Sequence, residues 1–297
     1  MFSIFGSPRS GTTLLASIVS LHSQLYIPDE TDFIVPVAFV IDRISDQVAG
    51  KRIILDLIFN SNRFVRLRES ISSGEIETAI MSANYSLYDI ISGIFGQIAR
   101  VHGAKLAGDK SPNDIHYVWK LIKNGYFEHG IRVIHLVRDV RAVIESLQRM
   151  NWMNPLDPVE YARFWVFSNM LLHQYLKNRE NYLLVKYEHL VKDPEAEVRK
   201  ICRHLDVLFE PQMLSNDRGW QYDASAPQHK NLRNPITGEF IEIWKQRLHR
   251  DTIRQIDLIA RDGLVAFGYA SQRCFEFNLL GQWIGRSILA MKSRQSR

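Results

Sequence analysis

Cysteine is almost absent. The 297-residue sequence has two, Cys202 and Cys274, and no CxxC pair. That excludes a disulfide-stapled scaffold and fits a reducing compartment. There is also no HExxH and no Cys/His ligand cluster, so no metal site is expected. No basic segment followed by a long apolar run opens the chain, and no run reaches the length of a membrane span. Neither a signal peptide nor a transmembrane helix is therefore expected, and the protein reads as cytoplasmic. Charge of one sign is never gathered into a block: 37 basic and 32 acidic residues give a formal net charge of +5. This argues against a nucleic-acid-binding stripe and suits an anionic cofactor or an acidic substrate. Internal repeats and low-complexity segments are missing as well. What is present, 46% hydrophobic and 23% charged residues, builds a globular protein with a large core.

Five short apolar segments read as strands: 2–5, 24–27, 104–108, 131–137 and 182–186. The segment 131–137 is mainly apolar and rich in β-branched residues, as expected of a strand buried on both faces. Helical periodicity covers the stretch after residue 12, then 36–49, parts of 51–70, a long run over 75–101, and 114–124 ending at Gly125. It continues from Asp139, a candidate N-cap, to 150, and over 157–177, 194–205, 239–248 and 251–267. Strands alternating with helices predict an α/β fold, a parallel sheet of about five strands with helices on both faces. In such sheets the functional residues lie at the carboxyl ends of strands. Residues 215–238 are polar, without period, and long enough to suggest a functional loop.

Four turns fall at strand carboxyl ends. The first is Gly6-Ser7-Pro8-Arg9-Ser10-Gly11-Thr12-Thr13, where a strand enters a glycine turn and then an amphipathic helix. That build makes a phosphate cradle, with backbone N–H groups turned inward at a helix N-terminus. Gly6-x4-Gly11 fits P-loop spacing and Thr13 holds the Ser/Thr position. Thr12, however, stands where a P-loop has its lysine, and Arg9 is the one cation in the turn. The other turns carry Asp29-Glu30-Thr31, Asp109-Lys110-Ser111-Pro112 and Arg138-Asp139.

Pro8-Arg9-Ser10-Gly11-Thr12-Thr13-Leu14-Leu15 resembles the 5′-phosphosulfate loop of the PAPS-dependent sulfotransferases, PAPS being 3′-phosphoadenosine 5′-phosphosulfate. The segment 135–147 is similar to their 3′-phosphate motif, an arginine at a strand end with a serine eight residues later, here Arg138 and Ser146. The segment 186–195 and the stretch from Trp244 to Gly268-Tyr269 extend the resemblance over residues 2–270. The cytosolic phenol and steroid branch differs in two ways: its loop has a lysine where this one has Arg9, and it has a glycine-rich Arg-Lys-Gly segment near the C-terminus that is not found here. The sequence looks closer to the branch of tyrosylprotein and bacterial sulfotransferases. Asp29-Glu30-Thr31 matches the turn that carries the catalytic base there, with Glu30 as the matching residue.

The resemblance implies in-line transfer of a sulfuryl group from PAPS to an acceptor hydroxyl, leaving PAP, with no metal. Glu30 would be the base. Arg9, the loop N–H groups and Thr12 or Thr13 would stabilise charge on the leaving phosphate, and Lys110 would neutralise the sulfonate. Pro8, Arg9, Ser10, Gly11, Thr12 and Thr13 would hold the 5′ end, Arg138 and Ser146 the 3′-phosphate. Lys230, Asn231 and Leu232, within the long polar loop, would close over the phosphates. His22 and His116 are other candidate bases; His135, inside a strand, reads as a core histidine. The same residues also allow a P-loop kinase or NTPase-like phosphotransferase, which the missing lysine opposes, or a non-catalytic PAP-binding module. The acceptor is expected to be a small molecule, carbohydrate or peptide with a hydroxyl group. Residues 1–270 are expected to form the catalytic domain. Residues 271–297 read as an amphipathic basic tail suited to a membrane surface or a second subunit.

Overall fold

The structure, a computed structural model, describes residues 1–150, 157–217, 232 and 234–270. The segment carrying Lys230 and Asn231, and the tail 271–297, lie outside the described residues. Five parallel strands form one sheet in the order β2-β3-β1-β4-β5, with β1 (Phe2–Phe5), β2 (Leu25–Tyr26), β3 (Leu106–Asp109), β4 (Arg132–Val137) and β5 (Tyr182–Lys186). β1 is central, pairing with β3 on one side and with β4 on the other, where Phe5 lies opposite His135. The chain leaves β1 between two neighbours reached by opposite crossovers, the place where open α/β sheets form their binding crevice.

Side chains alternate across the pleat and so build two cores. Phe2, Ile4, Ile134 and Leu136 point to one face, covered by α1 (Thr12–Val19) and, after β5, by α10 (Tyr187–Lys192) and α11 (Pro194–His204). Phe5 and Val133 point to the other. That face is covered by α2 (Ile34–Arg43), α3 (Gln47–Asn60), α4 (Val65–Ser70), α5 (Ser73–Ser82), α6 (Leu87–Val101), α7 (Val118–Lys123) and α9 (Pro158–Leu176). α8 (Val140–Gln148) packs with α9 and the closing helices α12 (Trp244–Arg247), α13 (Arg250–Ile259) and α14 (Arg261–Ala266) in a third cluster around Trp165. The expected α/β sheet with helices on both faces is what forms. Among the described residues no helix is long and apolar enough to cross a membrane.

Five helical expectations are corrected. The run 75–101 is two helices, α5 and α6, broken at Ala83–Ser86, where the Ser86 side chain accepts from the Asp89 N–H as an N-cap. The run 36–49 breaks at Ile44–Asp46, where Asp46 caps α3 through the Ala49 N–H. Residues 114–124 begin as a 3-10 turn over Pro112–Tyr117 before α7. At the C-terminal end, 239–248 yields a single turn, α12, and 251–267 is split into α13 and α14 at Ala260.

Candidate active site

The β1–α1 turn is built around two residues in the left-handed region, Arg9 at φ 70° and Gly11 at φ 95°. Such alternation turns successive N–H groups to one side, forming an anion nest at the α1 N-terminus. Gly11 has a second constraint: a Cβ there would lie 2.5 Å from the Tyr187 ring. Ser10 N–H donates to the Ser7 carbonyl at 3.0 Å and closes the turn. Arg9 reaches across the cleft, where its Nε donates to Ser146 Oγ on α8 at 3.1 Å.

Arg138, just past the end of β4, is buried with its Nη1 donating to the Arg9 carbonyl and Nη2 to the Phe240 carbonyl, both at 3.1 Å. Its guanidinium lies 4.3 Å from the centre of the Tyr187 ring. It does not pair with Asp139 or Glu145: Arg141 holds Asp139 at 2.7 Å, and Glu145 is held by Arg149 and Arg247. Arg9 and Arg138 thus lie side by side, and among the described residues no carboxylate pairs with either. Burial, then the charges of Arg138 and Arg149, push the Arg9 pKa down. Among the described residues two buried polar atoms here, Ser10 Oγ and Arg138 Nε, have no hydrogen-bond partner. Buried donors without acceptors are costly. An anion bound here would accept from both.

Glu30 and Lys110, 80 residues apart in sequence, meet at the ends of β2 and β3. Lys110 Nζ donates to Glu30 Oε1 at 2.7 Å; the lysine side chain is fully buried, whereas the glutamate is 38% exposed. Beneath them Asp109 accepts from Thr31 Oγ1 at 2.7 Å and Ser111 Oγ at 3.1 Å, and the Asp32 N–H donates to Ser111 Oγ. This ties residues 30–32 onto the end of β3. Burial raises the Asp109 carboxyl to about 6 against those two bonds, and burial together with Asp109 raises Asp114 well above the usual carboxylate range. Among the described residues no group of three or more His, Cys, Asp or Glu side chains is arranged to hold a metal ion.

The structure brings Arg9, Ser10, Gly11, Arg138 and Ser146 into one pocket and pairs Glu30 with Lys110; Leu232 is buried. Sequence reading missed Tyr187, which packs on both Gly11 and Arg138. Its place directly after β5, at the carboxyl end of the sheet, was the available signal. His22 is held by the Leu208 carbonyl, and His135 lies inside the core.

The model of the sulfotransferase family matches residues 2–211. The chain belongs to the sulfotransferase family. This sulfotransferase is 24% identical over 269 residues to a putative protein-tyrosine sulfotransferase of Caenorhabditis briggsae, a match covering 86% of this chain and 84% of that protein. The protein-tyrosine sulfotransferase of Drosophila melanogaster is 25% identical over 274 residues, 86% of this chain but 49% of the fly protein. Among solved structures, the sulfotransferase domain of the Synechococcus PCC 7002 olefin synthase superimposes with a TM-score of 0.59 at 26% identity, covering 88% of this chain and 94% of that domain. The sulfotransferase domain of the curacin biosynthetic pathway shares the fold, with a TM-score of 0.55 at 23% identity over 88% and 97% of the two chains. The chemistry of this enzyme is sulfuryl transfer.

Proposed function

We propose that this sulfotransferase takes its sulfuryl group from PAPS and delivers it to the hydroxyl of a small-molecule, carbohydrate or peptide acceptor. The observation that carries the reading is the neighbouring pair Arg9 and Arg138 at the carboxyl ends of β1 and β4, with Ser10 Oγ and Arg138 Nε buried and without a partner among the described residues. A bisphosphorylated nucleotide satisfies both atoms and the pair of like charges. In this reading the N–H groups of residues 10–13 and Arg9 grip the 5′ end, while Arg138 and Ser146 grip the 3′-phosphate. Lys230 and Asn231, outside the described residues, would complete the enclosure beside Leu232.

PAPS supplies the sulfuryl group and a good leaving group. Glu30 takes the acceptor proton as the acceptor oxygen bonds to sulfur and the bond from sulfur to the 5′-phosphate oxygen breaks. The electron pair of that bond stays on the phosphate, where Arg9 and the loop N–H groups stabilise it. Lys110, already beside Glu30, adds a cation for the sulfonate oxygens in flight. The base and the cation are thereby delivered together. The reading also takes residues 1–270 as the catalytic domain. The homologous protein-tyrosine sulfotransferases make a phenolic hydroxyl the acceptor to screen first.

Thermal denaturation with PAP, ATP and ADP tests the donor, because a ligand that binds only the folded state raises its melting temperature. PAP is expected to raise Tm well above either adenine nucleotide, and Arg138→Ala to abolish that rise. Equal shifts with ATP would overturn the assignment.

A further inference from the structure

A second set of polar groups lies behind the glycine loop, outside the residues that face the donor. Ser7, His135, Ser168 and Asn169 are fully buried. Asn169, on α9, donates through Nδ2 both to the Trp165 carbonyl at 2.7 Å and to Ser7 Oγ at 3.0 Å. A carbonyl can only accept, so the first bond fixes which way the amide faces. Asn169 Oδ1 then accepts from His135 Nε2 at 2.9 Å, and that nitrogen must carry the ring proton. His135 Nδ1 is left to accept from Tyr182 Oη at 2.8 Å, and Tyr182 Oη in turn accepts from His173 Nδ1 at 3.0 Å. Every donor and acceptor along the line has one consistent role. Burial drives the His135 pKa down to about 3, so the ring stays neutral and the order of donors is not scrambled near neutral pH.

The line ends at the strained part of the loop. Ser7 is the residue whose carbonyl closes the turn by accepting from Ser10. With both Asn169 donors already committed, the Ser7 hydroxyl proton is free to go to Tyr161, a bond that works against the rise burial gives the phenol. Tyr161 Oη donates onward to the Pro8 carbonyl at 3.3 Å. The Pro8–Arg9 peptide leads directly into Arg9, a non-glycine residue at φ 70°. Such a conformation persists only where its surroundings over-determine it.

We propose that this buried line, Tyr182–His135–Asn169–Ser7 with Tyr161, locks the glycine loop in its donor-binding shape, and that Asn169 and His135 are positioning residues for the donor. The inference rests on the PAPS reading above, since it concerns the same loop. It assigns work to five side chains that never reach the cleft. It also explains why a histidine and an asparagine stand at the centre of an otherwise apolar core, where unsatisfied polar groups would be penalised.

The test uses the full chain, with PAP titration calorimetry and steady-state kinetics. Asn169→Asp keeps size and still accepts from His135 but loses both donors. It is expected to raise the PAP Kd and the KM for PAPS by about ten- to a hundredfold while the acceptor KM stays unchanged. A merely structural role would instead lower Tm and leave the donor constants alone. If Asn169→Asp fails to fold, the pair His135→Gln and His135→Phe replaces it. Glutamine can donate to Asn169 and accept from Tyr182, whereas phenylalanine can do neither. Donor affinity near wild type for Gln and lost for Phe supports the proposal; equal affinities overturn it. A folded Asn169→Asp protein with a PAP Kd within about twofold of wild type also overturns it. Absence of PAP binding by the wild type would instead bring down the donor assignment, and this inference with it.

Discussion

The two sides of the cleft are held by different kinds of structure. On the proposed donor side, around β1 and β4, the side chains assigned to the donor are set in a backbone frame: a nest of N–H groups at α1, and carbonyls of Arg9 and Phe240 that fix Arg138. On the proposed acceptor side, around β2 and β3, the groups assigned to the reaction are two side chains, Glu30 and Lys110, joined across 80 residues by an ion pair and tied down by Asp109. β2 itself is only two residues long and lies at the sheet edge. The difference follows from what each side must do. A donor of fixed shape suits a preformed backbone cradle, while an acceptor proton must be met by a titratable side chain. Substitutions on the donor side should therefore change donor affinity, and those on the acceptor side should change turnover.

The largest effect is expected from the acceptor side. Glu30→Gln keeps the length of the side chain and removes the proposed base. The kcat should fall by about 10²–10⁴, with the PAP Kd unchanged. Single-turnover kinetics beside calorimetry would show the split. A loss of PAP affinity equal to the loss of kcat would merge the two sides and break the comparison.

Next comes the donor cradle. Gly11→Ala forces a side chain into the left-handed region and onto the Tyr187 ring, 2.5 Å from the new Cβ. The strain and the clash together are expected to cost about 2–4 kcal/mol of stability. Chemical denaturation would measure that cost. In whatever protein remains folded, the KM for PAPS should rise while the acceptor KM holds.

A third effect depends on pH. Asp109 is buried, and its carboxyl is raised to about 6 from the ordinary 3.8. Between those values the folded state keeps a proton that the unfolded chain has released. Its contribution to stability is therefore full below about 4, falls as pH rises through the window, and is lost above 6. Asp109→Asn removes the ionisation, so its stability relative to wild type should improve between pH 4 and 7 by on the order of 2 kcal/mol. Urea denaturation at the two pH values checks this. A difference that ran the other way would mean that the two bonds from Thr31 and Ser111 outweigh burial and hold Asp109 ionised.

The donor side was also the more legible in the sequence. Its strands are short β-branched runs bounded by turn residues, and β1 and β5 fall on the residues that the pattern predicts. The glycine spacing, Arg9, and an arginine at the end of β4 are local signals, readable within a dozen residues. The Glu30–Lys110 pairing was legible only as two separate turns, and that they face one another comes from the β2–β3 pairing. The line from Ser7 to Tyr182 was invisible, because nothing in a local window says that residues 7, 135, 169 and 182 converge. The helices over the acceptor side were misjudged at their ends for the same reason. Apolar periodicity runs straight through Ala83–Ser86, where the Ser86 cap and tertiary contacts together break the helix.

Those contacts centre on Tyr85, and they yield the smallest expected effect. The Tyr85 hydroxyl donates to the Ile44 carbonyl at 2.9 Å, at the end of α2, and its ring lies over Gly50, where a Cβ would sit 1.9 Å from the phenol oxygen. Lys51 donates to the Met81 carbonyl at 2.9 Å and to the Ala83 carbonyl, the open end of α5. One tyrosine in the α5–α6 break and one lysine on α3 thus hold both interruptions that periodicity does not show. Tyr85→Phe leaves the ring and removes one part-buried bond, a loss of about 1 kcal/mol. In a chain of this size that lowers Tm by about 2 °C, measurable by calorimetry. Because these breaks lie away from the donor cradle, the KM for PAPS should not move. A change in donor affinity from a tyrosine above the far helices would show that the acceptor-side scaffold also shapes the cradle, and that the two sides are one mechanical unit.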